Sequence, residues 1–303
     1  MLHSMTFTIV MQQLANGITL GSFFALVAIG YTMVYGIIRL INFAHATIFM
    51  MSMYIVYYLV TFFRIPWYFA YPLGILLVAG LGVLTERVAY YPLRKRGAPS
   101  KTMLISAIGV AYFLEFFATV LFTGRQKNFP RIDYLWQSIS IGSVMVQRIS
   151  LVVPVVTLVL LVLLNYILNR TKPGIAMRAV CKDPYAAKLM GIDVNRTIRF
   201  AFGVGSGLAC VGAIFWGLKY PVIHPTIGGI PGVKCFIAAV IGGIGNVNGA
   251  VLGGFMLGMI EVLLIMIFPT LTSYRDAFSF ILLIVILLVK PTGILGEKIA
   301  EKM

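Results

Sequence analysis

The chain has 303 residues, of which 60% are hydrophobic and only 11% charged, with a mean hydropathy of +0.97. That leaves too little polar surface to cover a water-soluble globule, so a lipid bilayer is the expected solvent. The net charge of +15 would suit nucleic acid only if an aqueous basic domain carried it, and no stretch supplies one.

The opening residues, MLHSMTFTIVMQQ, contain no Lys or Arg and so lack the basic start of a cleaved secretory signal. A membrane-spanning helix takes ~20 apolar residues. In chain order the candidate runs are 14–38, 43–63, 67–85, 102–123, 149–168, 198–218, 232–245, 249–268 and 277–289, the seventh and ninth of them short. Helices are the expected form, because a lipid-exposed strand edge would leave backbone groups unpaired at several kcal/mol each. The expected fold is therefore an all-α polytopic membrane protein of about nine transmembrane helices, with residues 1–303 forming a single membrane domain.

Two runs are interrupted, at 36–46 and at 242–249. Paired interruptions in separate halves point to a binding region, since unwound backbone at membrane depth is tolerated only inside protein or beside a wet cavity. Asn42 and His45 in the first offer hydrogen bonds that a zwitterion can use. Equally, Asn42 can cap the second helix while His45 is satisfied locally. Glu115 and Glu261 fall near the middle of their runs, where an ionised acid costs ~2.5–3.5 kcal/mol unless compensated. Either they are protonated and bonded between helices, or they face a hydrated path. The structural role is favoured, so Glu261→Gln is expected to leave assembly and transport largely intact.

Residues 171–199 stand apart. Lys172, Arg178, Lys182, Asp183, Lys188, Asp193, Arg196 and Arg199 all lie in this one segment. Asp183 and Pro184 are helix-start residues, and Gly191 is a helix stop. They enclose a short helix, Pro184 to Met190, with Ala186, Leu189 and Met190 on one side. An apolar knob ringed by positive charge suits a cleft on a partner, and it also suits anionic headgroups. Further on, glycines 245, 249, 253, 254 and 258 and the GVGSG at 203–207 form small-residue stripes where helices approach closely. The neighbour can be internal or a second subunit.

Lys and Arg collect on cytoplasmic loops. Placing the N-terminus outside puts Arg39, Arg87, Arg94, Lys95, Arg96, Lys101, the seven cations from Arg170 to Arg199, and Lys290, Lys298 and Lys302 inside. The other eight spread thinly outside. This orientation makes the N-terminus periplasmic, and the C-terminus and the 171–199 segment cytoplasmic.

Catalytic motifs are absent: there is no H-E-x-x-H, no G-x-S-x-G and no Gly-Lys pair for a phosphate-binding loop. Cys181, Cys210 and Cys235 lack C-x-x-C spacing and read as apolar fillers. No catalytic residue, metal or cofactor is expected. Energy must come from a partner or from a gradient, and a gradient-driven secondary transporter would work alone in a vesicle.

The segment TKPGIAMRAVCKDPYAAKLMGIDV resembles the signature of bacterial ABC importer permeases of the branched-chain amino acid and ribose type, T-x-x-G-x-x-x-R-A-V-x-x-x-x-x-A-A-x-x-x-G-I. The matching positions are Thr171, Gly174, Arg178, Ala179, Val180, Ala186, Ala187, Gly191 and Ile192. NGITLGSFFALVAIGYTMVYGIIRLINFAHA (16–46), VKCFIAAVIGGIGNVNGAVLGG (233–254) and KPTGILG (290–296) are similar to the family's first span, late glycine-rich element and closing motif. The N-F-A-H turn points to the H-type subunit of the branched-chain amino acid branch, with Ala46 and Ile175 as small departures.

The resemblance implies a non-catalytic subunit in the bacterial inner membrane, importing leucine, isoleucine and valine, or urea and short amides in close relatives. It implies a second, non-identical permease, two cytoplasmic ATP-binding subunits and a periplasmic substrate-binding protein as partners, besides membrane lipid. Gly174, Arg178, Ala179, Lys182, Asp183, Ala186, Ala187, Met190, Gly191 and Ile192 would form the coupling region that docks on an ATPase. Asn42, Phe43, His45 and Glu261 would lie near the substrate path. Ala187→Trp is expected to abolish docking by overfilling the ATPase groove.

Overall fold

Residues 2–38 contain no proline and no Lys, Arg, Asp or Glu, and they form one continuous helix, α1 (Leu2–Ile38). It begins well before the hydrophobic run because nothing in the preceding polar residues breaks it. The computed structural model describes residues 2–141 and 144–296. Lys298 and Lys302, counted above among the inner cations, lie outside the described residues.

After α1 come α2 (Ala44–Thr61) and α3 (Trp67–Thr85). The third run does not stop at Thr85: a π-helical turn (Glu86–Tyr90) and α4 (Tyr91–Lys95) extend it to Lys95. Charge at Glu86 and Arg87 ends the apolar run in the sequence, but Glu86 is buried against Arg94, with 2.7 Å between Oε1 and Nη2. α5 (Ser100–Phe122) follows, then a connection holding β1 (Lys127–Asn128), α6 (Asp133–Trp136), β2 (Ser138–Ile141) and β3 (Val144–Gln147). β2 and β3 pair as a hairpin with Ser138 opposite Gln147. These short strands depart from the all-helical expectation, although the alternation in SISI and VMVQ carries the signal.

α7 (Arg148–Arg170) leads into α8 (Lys172–Lys182), α9 (Pro184–Leu189) and α10 (Val194–Lys219). β4 (Val222–Ile223) pairs with β1 and precedes α11 (Gly229–Gly242), α12 (Val247–Ile267), a 3-10 turn (Pro269–Tyr274) and α13 (Arg275–Val289). Among the described residues, eight helices are long and apolar enough to cross a membrane. The seventh expected span is the exception: α11 has 14 residues, about 21 Å at ~1.5 Å per residue, against a hydrocarbon core of ~30 Å.

α1 is the central mast. In its most apolar window 83% of residues are buried, against 6% for the segment containing α13. α1 meets α12 where Gly254 faces Ala25 and Gly258 faces Gly21 backbone. It meets α10 where Gly30 and Gly205 approach within van der Waals range. α3 lies on α10 through Gly82 and Ser206, and α11 on α12 through Gly242, Gly249 and Gly253. At these crossings the glycine stripes find their neighbours inside the chain, as small residues at membrane helix contacts do.

A side chain at Gly258 would drive into the backbone of Leu20 and Gly21. Gly258→Val is expected to cost ~1–3 kcal/mol or more by overpacking, read as a lower denaturation midpoint in detergent. Gly80 of α3 has open space around it, and Gly80→Ala should leave the midpoint unchanged or slightly raised.

Candidate functional site

The charged segment after α7 folds as two short helices set by their caps. Thr171 Oγ1 accepts from Gly174 N at 3.4 Å and donates to Ile167 O. A Cβ at Gly174 would collide with the Ile167 carbonyl and the Leu168 backbone, so the corner between α7 and α8 requires glycine. α8 was not anticipated from the sequence, although Thr171, Pro173 and the spacing of Gly174, Met177 and Val180 carry the pattern. Those three residues are buried and turn one face to the bundle, while Arg178, Lys172 and Lys182 stay exposed. Ala179 is half-buried.

Asp183 ends α8 and starts α9, its Oδ1 accepting from Tyr185 N at 2.9 Å and Ala186 N at 3.1 Å. α9 closes with Gly191 at φ +83°, Gly191 N bonded to Lys188 O and Ile192 N to Ala187 O. A helix of six residues is too short to stand alone. Caps and the buried Ala187 hold it. Its outward face carries Tyr185, Leu189 and Met190, 72–83% exposed, beside exposed Ala186 and Lys188. Tyr185 was missed from the sequence, and its i, i+4 spacing to Leu189 is the signal that could have found it.

Ala187 corrects an expectation. It is 4% exposed and belongs to the apolar cluster with Met177, Val180 and Ile198. A tryptophan there would break this packing before it met any groove. Gly174 is likewise buried, so both residues shape the segment from within and offer no surface of their own.

The first interruption runs from Arg39 (φ 54°) to Phe43. Asn42 is 3% exposed, and its Oδ1 accepts from the Tyr90 hydroxyl at 2.7 Å. It does not cap α2: Phe43 holds that position, with no side-chain bond. Phe43 is 38% exposed and tilts over Phe236 of α11 with ring centroids 6.4 Å apart. His45 is fully enclosed, edge-on to Tyr31 at 4.6 Å and against Gly30. The turn therefore meets the first half of α11, where Gly232 lies against Ala46.

The second interruption approaches the first where Gly36 lies close to Gly245. Gly243 and Gly245 turn the chain at φ 109° and 100°, and Asn246 caps α12 through Gly249 N at 3.1 Å. Ile294 N and Leu295 N bond to the carbonyls of Ile241 and Gly242. The KPTGILG motif thus closes the unwound end of α11 with backbone of its own.

Glu261 is bonded between helices, as the favoured structural alternative has it, but through ion pairs. Its Oε1 lies 2.9 Å from Lys234 Nζ and 2.9 Å from Arg275 Nε, and Lys234 also reaches Asp276 at 2.7 Å. Two acids and two bases from α11, α12 and α13 thus compensate one another between two cavities of about 340 and 350 Å³. The compensation was invisible because Lys234 and Arg275 are distant in sequence. Glu115 is half-buried on α5 and makes no ion pair among the described residues.

The model of a family described as the branched-chain amino acid transport system permease component matches residues 13–287. The chain belongs to that family. It is 39% identical over 304 residues to the high-affinity branched-chain amino acid transport system permease protein BraD of Pseudomonas aeruginosa, covering 97% of this chain and 98% of that one. The corresponding LivH proteins of Salmonella typhimurium and Escherichia coli K12 are 38% and 37% identical, each covering 97% of both chains. Family membership and the eight long apolar helices together make this a multi-pass membrane permease component.

Removing one partner from a buried pair costs ~3–5 kcal/mol where it leaves a lone charge, but without Glu261 the buried Lys234 keeps Asp276 at 2.7 Å and Arg275 is half-exposed, so the loss here is smaller. Glu261→Gln is now expected to lower the folded yield and the denaturation midpoint in detergent, in place of the silent outcome anticipated from sequence. Asp183→Ala should cost ~0.5–2 kcal/mol of local stability, read as faster amide exchange confined to α9 and its flanks.

Proposed function

We propose that the chain is the membrane-spanning subunit of an ATP-driven importer of branched-chain amino acids in the bacterial inner membrane. Residues 1–303 act as one permease domain, with the N-terminus periplasmic and the C-terminus cytoplasmic. A second, non-identical permease, two cytoplasmic ATP-binding subunits and a periplasmic substrate-binding protein complete the machine.

The observation that carries this reading is α9. At one end of an otherwise apolar bundle, a capped six-residue helix presents Tyr185, Leu189 and Met190 to the outside, with Arg178, Lys182 and Lys188 around them. Its apolar face has no use in the isolated chain, and membership of a transport-permease family supports a docking role for it. In this reading Arg178, Lys182, Ala186 and Met190 touch the ATPase. Asp183, Gly191 and Ile192 fix the shape of the segment, and Gly174, Ala179 and Ala187 hold it to the bundle.

The substrate path runs along the exposed apolar face where the first interruption meets α11. Phe43, Ile230 and Val233 are each 38–59% exposed there, and Asn42 and His45 hold the turn from behind. Glu261 stands beside the cavities at the opposite end from α9, fixing the helices that frame the route.

The functional reading is tested by ATP-dependent uptake of labelled leucine against labelled urea in proteoliposomes holding the whole complex. Leucine uptake that requires the ATPase subunits supports it, and uptake by the permease alone under an ion gradient overturns it. Replacing both Leu189 and Met190 with Asp should reduce co-purification of the ATPase subunits at least tenfold while membrane insertion stays normal.

A further inference from the structure

The π-helical turn Glu86–Tyr90 connects two places that the sequence treats as unrelated. At its first residue, Glu86 Oε1 accepts from Arg94 Nη2 at 2.7 Å, and the same guanidinium nitrogen donates to Asn195 Oδ1 at 2.9 Å. Asn195 lies in the first turn of α10, two residues beyond Asp193, whose side chain caps that helix through Arg196 N. At its last residue, the Tyr90 hydroxyl donates to Asn42 Oδ1 at 2.7 Å, while the Tyr90 ring packs on Phe202 of α10 at 5.2 Å. One turn of helix thus holds the exit of the coupling segment at one end and the α1–α2 break at the other.

Three features of this turn mark a moving part. Tyr91 N bonds to Glu86 O, five residues back, so the turn stores one residue in excess of α-helical pairing, as π-bulges at functional sites do. That excess lets the two ends change their relative rotation without unwinding α3 or α4. Three of the five polar groups along the line also have a buried atom without a hydrogen-bond partner: Glu86 Oε2, Arg94 Nη1 and Asn42 Nδ2. Buried polar atoms are ordinarily paired, and spare capacity at three of the five positions suits a line that re-pairs in a second arrangement. Finally, the helices around it pack closely at Gly30, Gly82 and Gly205, so adjustment is confined to the turn and its side-chain links.

We propose that Asn195, Arg94, Glu86 and Tyr90 form a mechanical relay. It carries displacement of α8 and α9 to Asn42, and so to the turn that presents Phe43 to the substrate path. These are positioning residues: none touches substrate or nucleotide. The inference rests on the functional reading above, but the physical link it asserts does not.

Two measurements test it. In the reconstituted complex, Tyr90→Phe removes one hydroxyl and keeps the ring on Phe202. It should leave assembly and basal ATPase activity within twofold and reduce leucine transported per ATP hydrolysed at least fivefold. Arg94→Met should do the same, and the double variant should be no worse than the more impaired single one, because both cut one line. Unchanged stoichiometry in Tyr90→Phe, or single effects that multiply in the double variant, overturns the relay. Should Arg94→Met fail to assemble, Tyr90→Phe decides alone.

The second measurement needs no transport. In nanodiscs holding the permease chain, Arg94→Met should raise amide exchange across residues 39–46 at least fivefold, although Arg94 has no bond to any of them among the described contacts. Unchanged exchange there overturns the relay. Raised exchange in Arg94→Met, with a wild-type complex that imports no leucine, leaves the relay standing and overturns the functional reading instead.

Discussion

Backbone-to-backbone approach at glycine is the constraint on which the bundle depends. In lipid no hydrophobic force draws one apolar helix to another, so association rests on close packing and polar contacts. α1 supplies both sides of that packing. Gly21 and Ala25 meet Gly258 and Gly254 of α12, and Gly30 meets Gly205 of α10. These contacts explain why a helix with no charged residue and almost no amphipathic bias is the most enclosed span in the molecule. Its neighbours are arranged by where they lack side chains, and the peripheral helices α3, α5, α7 and α13 are left to cover the outside.

A bundle locked in this way can move only where the lock is interrupted. The interruptions coincide with the polar chemistry. The break between α1 and α2 carries Asn42, the π-helical turn carries Glu86 and Tyr90, and the corner from α7 to α10 carries Thr171, Asp183 and Asp193 as caps. The late break at Gly243 and Gly245 has been stitched instead by Ile294 and Leu295. Two breaks alike in sequence therefore play opposite parts: one is held by side-chain hydrogen bonds that can exchange partners, and the other is sealed by backbone.

Most of the fold could be read in advance, because hydropathy and helix punctuation are local. Asp183, Pro184 and Gly191 mark α9 by rules that involve only near neighbours, and α9 lies where they put it, one residue shorter than anticipated. Reading failed where the answer depended on residues far apart in the chain. Ala187 sits on the same six-residue helix as Leu189, yet it faces inward because Met177 and Ile198 wait for it there. Asn42 has the composition of a cap, but Tyr90, 48 positions away, claims its side chain. α11 reads as a short span because hydropathy counts residues, and it cannot register that Gly228 and Gly232 are already pressed against α2.

The two buried glutamates show the same limit from the electrostatic side. Both Glu86 and Glu261 end up 0–4% exposed, where a lone carboxylate would be expensive, and each is compensated by a cation from a different element. The compensation differs in kind. Glu261 shares Lys234 and Arg275 with Asp276 in a four-membered network bridging three helices, and such redundancy favours a fixed frame. Glu86 has a single cation, and Arg94 divides its contacts between Glu86 and Asn195. Glu86 Oε2 and Glu261 Oε2 are both buried without a hydrogen-bond partner, so the difference lies in the number of cations, one against two. The two-cation network thus stands away from α9, where Glu86 and Arg94 reach Asn195 at the start of α10, so the two ends of a bundle of interlocked glycines are held by polar clusters of different size.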